Sequence, residues 1–106
     1  MKSYRRTDSH LFCGHWNGSP VEIGLTETLT GVPATECLHY HDYHEYYVVL
    51  EGSGMLEVEG REVPLTAGET QMVEPGERHQ VIAVGPEGIR WVIIKERSEP
   101  DRKHVV

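Results

Sequence analysis

The sequence has little of what marks several large classes of protein. Its two cysteines, Cys13 and Cys37, are too few for a disulfide framework and lack the Cys-x-x-Cys spacing of redox and zinc sites. No apolar run approaches the roughly 18 residues of a membrane-spanning helix, and no apolar segment of the kind found in signal peptides follows Met1–Arg6. We therefore expect reduced thiols, a cytoplasmic location and no membrane partner.

Positive charge is also sparse. Ten Lys and Arg residues face 17 Asp and Glu residues, which gives a formal net charge of −7, and no run of five basic residues occurs. A basic surface is what attracts nucleic acid, so nucleic acid is a poor partner for this chain. A chain of 106 residues is one domain with a modest core, and we expect its ligand to be a small molecule.

What the sequence does contain is a series of short apolar or alternating segments separated by Gly and Pro turns. No segment shows sustained helical periodicity, so eight to ten short strands in an all-β sandwich or barrel are predicted. The predicted strands are Val21–Thr30, the segment around His39–His41, Glu45–Leu50, Met55–Glu59, Arg61–Leu65, Gln71–Glu74, Gln80–Val84 and Ile89–Ile94. Turns are predicted at Gly31–Pro33, Gly52–Gly54, Glu59–Gly60, Ala67–Gly68, Pro75–Gly76 and Gly85–Gly88.

These segments divide the chain into three parts. Residues 1–20 are polar and Gly-rich, and are predicted to form an N-terminal arm with one short strand near Leu11–Cys13. Residues 21–97 carry the predicted β-barrel. Residues 98–106 are charged and contain a proline, which predicts a frayed C-terminal tail.

A candidate metal site lies between the first strands of the barrel. His39 and His41 are two residues apart, so on a strand both imidazoles project from the same face. A short bend through Asp42–His44 would bring the Glu45 carboxylate to the same point. The Pro75–Gly76 turn delivers His79 from another strand, and His79 is the fourth candidate ligand.

Three imidazoles and one carboxylate suit one divalent first-row transition metal, with Fe, Mn, Ni, Co, Cu and Zn all possible. If the ion is octahedral, two positions stay open for water, substrate or dioxygen. Two alternatives remain: the four residues are ordinary strand and turn residues, or the same pocket works without a metal.

Several neighbours of the predicted ligands need separate interpretations. His44 has the wrong parity for a straight strand, so it and Asp42 are only replacement ligands. Tyr47 shares the parity of Glu45, and is either a catalytic proton donor in the pocket or a buried structural tyrosine. Cys37 shares the parity of His39 and is either at the pocket edge or inert, while Tyr40 is predicted to pack outside the barrel.

These residues give the sequence its resemblance to a known family, because from about Val21 to Arg97 it resembles a small single-domain cupin. The first cupin motif reads Gly, five residues, His-x-His, three or four residues, Glu, six residues, Gly. The second reads Gly, five residues, Pro-x-Gly, two residues, His, three residues, Asn. The matching positions are His39, His41, Glu45, Gly52, Gly68, Gly76 and His79. The departures are Pro33 for the leading Gly, Glu74 for the Pro and Ala83 for the Asn, and none of them is a ligand position.

The resemblance implies a double-stranded β-helix, or jelly-roll, barrel that holds a metal through His39, His41, Glu45 and His79. The function it favours is a metal-dependent enzyme of dioxygenase type acting on a small chelating molecule. A sugar or carboxylate isomerase, epimerase or lyase is an alternative, and so is a binding or sensing protein without turnover. A homodimer is expected because the strand Ile89–Ile94 is apolar on both faces and the sheet has edges to protect.

Overall fold

The chain folds as one antiparallel β-sheet that curls on itself. The computed structural model describes residues 1–6, 10–28, 37–100 and 104–106. Within them lie eight strands and one 3₁₀ turn, His15–Asn17. The strands are β1 (Leu11–Cys13), β2 (Glu22–Thr28), β3 (His39–Tyr40), β4 (Glu45–Val58), β5 (Arg61–Thr66), β6 (Thr70–Val73), β7 (His79–Lys95) and β8 (His104–Val105). The predicted all-β class is confirmed, while the predictions for Leu29–Pro33 lie outside the described residues.

Strands β4 and β7 are the longest and organise the sheet. β4 pairs with β5, β6 and β7, and β7 also pairs with β2 and β3, always antiparallel. The β4–β7 ribbon runs from the pair Glu45 and Lys95 to the pair Val58 and His79. Glu45 and His79 lie at opposite ends of this ribbon, yet their side chains are 2.9 Å apart. The ribbon must therefore bend.

The bend falls where the sequence predicted two turns, and those two predictions were wrong. Strands β4 and β7 continue through Gly52–Gly54 and Gly85–Gly88, but the partner on β7 jumps from Ile89 to Val84 as β4 passes from Gly52 to Gly54. Gly52 and Gly88 have φ of 76° and 79°, and a Cβ on Gly52 would lie only 2.0 Å from the Gly88 carbonyl oxygen. The glycines let two backbones approach and kink the ribbon without ending either strand.

The predicted hairpin at Glu59–Gly60 is confirmed. Val58 pairs with Arg61, and the two linking residues have φ of 49° and 78°. Positive φ at both positions is what a two-residue hairpin turn of the favoured twist requires, and Gly tolerates it without steric cost.

Side chains of β4 alternate between the inside and the outside of the barrel. Glu45, Tyr47 and Val49 are buried, while Tyr46 and Val48 between them are half-buried. The apolar inward residues join the main core cluster, whose members are Tyr47, Val49, Leu56, Val58, Leu65, Val73, Val81, Ile89 and Trp91. Burial of these apolar side chains is the main force that closes the sheet.

Both ends of the described chain add strands to this sheet. β1 pairs with β2, so the short strand predicted near Leu11–Cys13 in the arm is confirmed. The end of the tail differs from the prediction of fraying, because β8 pairs with β3, matching Val105 to His39 and His104 to Tyr40. The His104 ring also stacks on Tyr40, with 4.7 Å between centroids. The boundaries of the three predicted parts stay a prediction.

No helix within the described residues is long and apolar enough to span a membrane.

Candidate metal centre

Three strands bring the four predicted ligands to one place inside the barrel. His39 lies on β3, His41 follows that strand, and Glu45 and His79 open β4 and β7. His39 is paired with His79 across β3 and β7. All four residues are at most 4% exposed, and one donor atom from each lies within 4.8 Å of the others. The structure thus brings together the whole predicted set.

The carboxylate of Glu45 lies between two of the imidazoles. Its Oε1 is 2.9 Å from Nε2 of His79, and its Oε2 is 3.3 Å from Nε2 of His41. The centroid of the His39 ring lies 4.3 Å from that of His79 and 4.9 Å from that of His41. Such spacing is compatible with metal binding by one carboxylate and three imidazoles.

Backbone carbonyls orient two of the rings. Nδ1 of His39 donates to the carbonyl of Cys37 at 2.7 Å, and Nδ1 of His79 donates to that of Glu77 at 2.9 Å. Because a carbonyl oxygen only accepts, Nδ1 of each ring carries a proton, and Nε2 is the nitrogen that faces the cluster. Histidines that bind metals are commonly held this way by their other nitrogen.

The same hydrogen bonds test whether a cation fits the cluster. With its Nδ1 bonded to the Glu77 carbonyl, His79 directs Nε2 at Oε1 of Glu45, 2.9 Å away. Two lone pairs at that distance would repel each other, so a proton on Nε2 or a cation must lie between them. A divalent metal ion can take the place of that proton, so the residues present fit the ion that the donor set implies.

Burial and charge act in opposite directions on these groups. Burial, aided by the charges of the two neighbouring imidazoles, outweighs the hydrogen bond to Cys37 and lowers the pKa of His39 to about 4. Burial alone would raise the pKa of Glu45, but the hydrogen bonds and charges of His41 and His79 hold that pKa well below its usual range. A neutral His39 and an ionised Glu45 are the forms that bind metals.

Tyrosines border the imidazoles on two sides. Tyr47 is 1% exposed and meets the His79 ring edge-on, with 6.3 Å between centroids. Tyr43 stacks on His41, with 4.9 Å between centroids. The guanidinium of Arg97 lies over the Tyr43 ring, 5.6 Å from its centroid. Tyr47 was predicted from the sequence and Tyr43 was not, although Tyr43 follows His41 by the same two-residue step that links His41 to His39.

The replacement ligands lie outside the cluster. Nδ1 of His44 is 2.7 Å from Oε2 of Glu96 at the surface, and Oδ2 of Asp42 is 2.7 Å from Nε2 of His104. Cys37 is exposed and contributes its carbonyl oxygen. Each of these side chains has a surface environment that explains it without a metal.

Lys95, which was not predicted from the sequence as a site residue, lies beside the ligands. Nζ of Lys95 is 3.2 Å from Oε2 of Glu22 and 4.0 Å from Oε2 of Glu45. The available signal was its position, since Lys95 directly follows the apolar run Ile89–Ile94, where register decides whether a charge faces the interior.

Fold and site together define an all-β barrel protein with a buried cluster of three histidines and one glutamate. Residues 29–95 match the family model of the cupin domain, so the chain belongs to the cupin family. The sequence-based resemblance is therefore confirmed.

Solved structures agree on the fold. A cupin protein from Bacteroides fragilis is 19% identical, with a TM-score of 0.72 over 94% of this chain and 89% of that one. An RmlC-like cupin with a double-stranded β-helix fold from Methanocaldococcus jannaschii is 13% identical, with a TM-score of 0.72 over 92% and 91%. Oxalate decarboxylase from B. subtilis, as a point variant, is also 13% identical at 0.72, over 98% of this chain and 30% of that one. At these identities the likeness is one of fold, and no curated protein matches the sequence.

Proposed function

We propose that this cupin is a metal-dependent enzyme of dioxygenase type that acts on a small chelating molecule. The observation that carries the proposal is the cluster of four buried donors, His39, His41, Glu45 and His79, within 4.8 Å of one another. An ion held by one carboxylate and three neutral imidazoles keeps part of its positive charge. Such an ion, when bound, supplies a Lewis acid and a redox centre with positions for substrate and dioxygen.

The residues around the ion have separate tasks in this proposal. The backbone carbonyls that hold His39 and His79 keep both rings in one tautomer and orientation. The buried surroundings exclude water, which strengthens the electrostatic attraction of the site for an anionic, chelating substrate. Tyr47, buried against His79, is the group that holds or moves a proton.

Oxygen uptake tests the leading proposal. Protein loaded with Fe, Mn or Ni is supplied with diols, diketones and flavonol-like chelators in an oxygen electrode. Substrate-dependent uptake is expected, and a His79→Ala variant prepared in the same way is expected to give none. Absence of uptake across metals and compounds, with the metal demonstrably bound, would contradict the dioxygenase proposal.

A lyase or isomerase is the second candidate, and Tyr47 is the observation that favours it. A buried phenol beside a candidate metal ligand suits a reaction in which a proton is moved and no oxygen is consumed. Exchange of solvent deuterium into a sugar or carboxylate substrate, without oxygen uptake, would favour this candidate. Tight metabolite binding in a thermal-shift screen with no product by mass spectrometry would instead indicate a binding or sensing protein.

We also propose that the protein is a homodimer. Ile23, Ile94, Tyr46 and Met72 form a row across β2, β7, β4 and β6, on the face opposite to Glu45. Met72 is 46% exposed, and the other three are half-buried. A second sheet would cover this apolar row. A light-scattering mass near 24 kDa is expected at micromolar concentration from a 12.0 kDa chain, and a mass near 12 kDa would count against the dimer.

The cytoplasm remains the proposed location. Cys13 and Cys37 are unpaired thiols, and reducing conditions keep thiols in that state. Fractionation of cells that produce the protein without a tag tests the location, and recovery from a secreted or membrane fraction would contradict it.

A further inference from the structure

Three charged residues form a row across three neighbouring strands next to the candidate ligands. Glu22 on β2 is paired with Lys95 on β7, and Lys95 is paired with Glu45 on β4. The side chains of Glu22 and Glu45 are 1% and 3% exposed, and that of Lys95 is 15% exposed. The row therefore faces the barrel interior, and its last member, Glu45, is one of the four candidate metal ligands.

The distances show how Lys95 divides its charge between the two glutamates. Its Nζ is 3.2 Å from Oε2 of Glu22 and 4.0 Å from Oε2 of Glu45. The hydroxyl of Ser98 donates to the other Glu22 oxygen at 3.3 Å. Glu22 is thus the nearer partner of Lys95, and Glu45 keeps its closest contacts for the imidazoles of His41 and His79.

Such a row is costly to bury. Charges taken out of water lose hydration, and apolar residues of similar volume often serve stability as well or better. The row also has more negative than positive charge, so it favours a further cation at Glu45. Stability alone is therefore a poor explanation for an ion pair at this position.

We propose that Glu22 is a positioning residue that keeps the ammonium group of Lys95 away from Glu45, an inference that rests on the proposed metal site. Nζ of Lys95 lies 4.0 Å from Oε2 of Glu45, close enough to compete with a metal ion for that carboxylate. Glu22 binds the ammonium group more closely and so prevents Lys95 from taking Glu45 as its own ion-pair partner. The pair sets how strongly the cluster holds a divalent cation.

The two members of the pair then have opposite effects on metal affinity. In Glu22→Gln, Lys95 has Glu45 as its remaining carboxylate partner and competes with the metal, so affinity falls by about tenfold or more. In Lys95→Met, the competing positive charge is gone, so affinity stays the same or rises several-fold. An ordinary structural ion pair predicts instead that both substitutions weaken binding, because both leave a buried charge without its partner.

Titration with Co(II) alone tests this, followed by the visible absorption of the bound ion. The proteins are wild type, Glu22→Gln, Lys95→Met, Lys95→Arg and the double variant Glu22→Gln with Lys95→Met. Glu51→Gln is the matched control, because Glu51 forms an exposed pair with Arg90 at 3.6 Å. We expect weaker binding in Glu22→Gln, and recovery in the double variant. Wild-type affinity is expected in the control, and a wild-type absorption spectrum in Lys95→Arg.

The outcomes separate this inference from the metal site itself. A fall of affinity in both single variants, or in neither, would overturn the positioning role while leaving the site intact. A wild-type protein that bound no Co(II), Mn(II) or Fe(II) would overturn the site, and this inference with it. If Glu22→Gln alone fails to fold, the Co(II) affinity of the double variant is compared with that of Lys95→Met. Both lack the competing ammonium group, so the inference requires similar affinities.

Discussion

Histidines inside and outside the barrel have the same kind of partner but different surroundings. His41 and His79 lie within 3.3 Å of a Glu45 oxygen, and at the surface His44 and His104 each lie 2.7 Å from a carboxylate oxygen. A histidine next to a carboxylate is therefore not what distinguishes the candidate site. The surface pairs have the shorter distances.

What differs is burial and convergence. The side chains of His41 and His79 are 2% and 0% exposed and share one carboxylate, while those of His44 and His104 are 36% and 43% exposed and lie beside two different carboxylates. Water and salt screen an exposed pair, so it contributes little to stability or cation binding. Several buried donors directed at one point are what a metal requires, and the following predictions test that difference.

The largest effect is expected when a buried donor is removed. His79→Ala should lower metal affinity by about 100-fold or more, because one of four ligands is lost. His44→Ala should bind metal like wild type. Metal content by elemental analysis of protein purified without an affinity tag measures both. Equal loss in the two variants would erase the distinction between buried and surface histidines.

Metal removal should lower the stability of the folded chain. Free metal at 100 times Kd stabilises a protein by about 2.7 kcal/mol, which is about 10 °C in Tm for a domain of this size. Thermal unfolding with and without a chelator measures the shift. His44→Ala should keep the shift and His41→Ala should lose it, whereas a shift that survives in His41→Ala would mean that the metal binds elsewhere.

Tyr47→Phe should separate packing from chemistry within the buried region. The ring and its contacts with His79 and Trp91 are kept, so metal affinity should stay within about twofold of wild type. Turnover should fall by about 100-fold if the phenol transfers a proton. The ratio of kcat between the two proteins on the first substrate identified gives the answer, and unchanged kcat would make Tyr47 a packing residue only.

The smallest effect is expected at the surface pair of His44 and Glu96. The backbone N–H of His44 donates a hydrogen bond to the Glu96 carboxylate, and the His44 ring donates a second one. Both bonds lower the pKa of that carboxyl, the backbone bond more strongly. A lowered pKa in the folded state adds stability above the ordinary pKa of Glu, and that stability is lost as pH falls through the folded value. Glu96→Gln should thus be slightly less stable than wild type at pH 7, and this difference should shrink as the pH falls below the ordinary pKa of Glu. Chemical denaturation over a series of pH values checks this, and a difference that does not shrink at low pH would refute the linkage.

The candidate site was predictable from the sequence because its ligands follow local rules. The two-residue step from His39 to His41 gives one face of a strand, and the turn at Pro75–Gly76 places His79 at the start of β7. The charged row was not predictable in the same way. Glu22 and Lys95 are 73 positions apart, and only the pairing of β2 with β7 makes them neighbours.

The bend of the β4–β7 ribbon was misread for a physical reason. Glycines at Gly52–Gly54 and Gly85–Gly88 are the usual signal of chain reversal. Here positive φ at Gly52 and Gly88 allows close contact between two strands that both continue. Composition cannot separate a turn from a kink when the deciding factor is a partner strand distant in the sequence.

Glu45 and His79 lie at opposite ends of the β4–β7 ribbon, yet their side chains are 2.9 Å apart because the ribbon folds back at Gly52 and Gly88. An ion bound by both residues would link the two ends of the ribbon and stabilise its bent form. The curvature of the sheet and the affinity for the ion are then coupled. A side chain added at Gly52 would accordingly spread the donors apart without touching any of them.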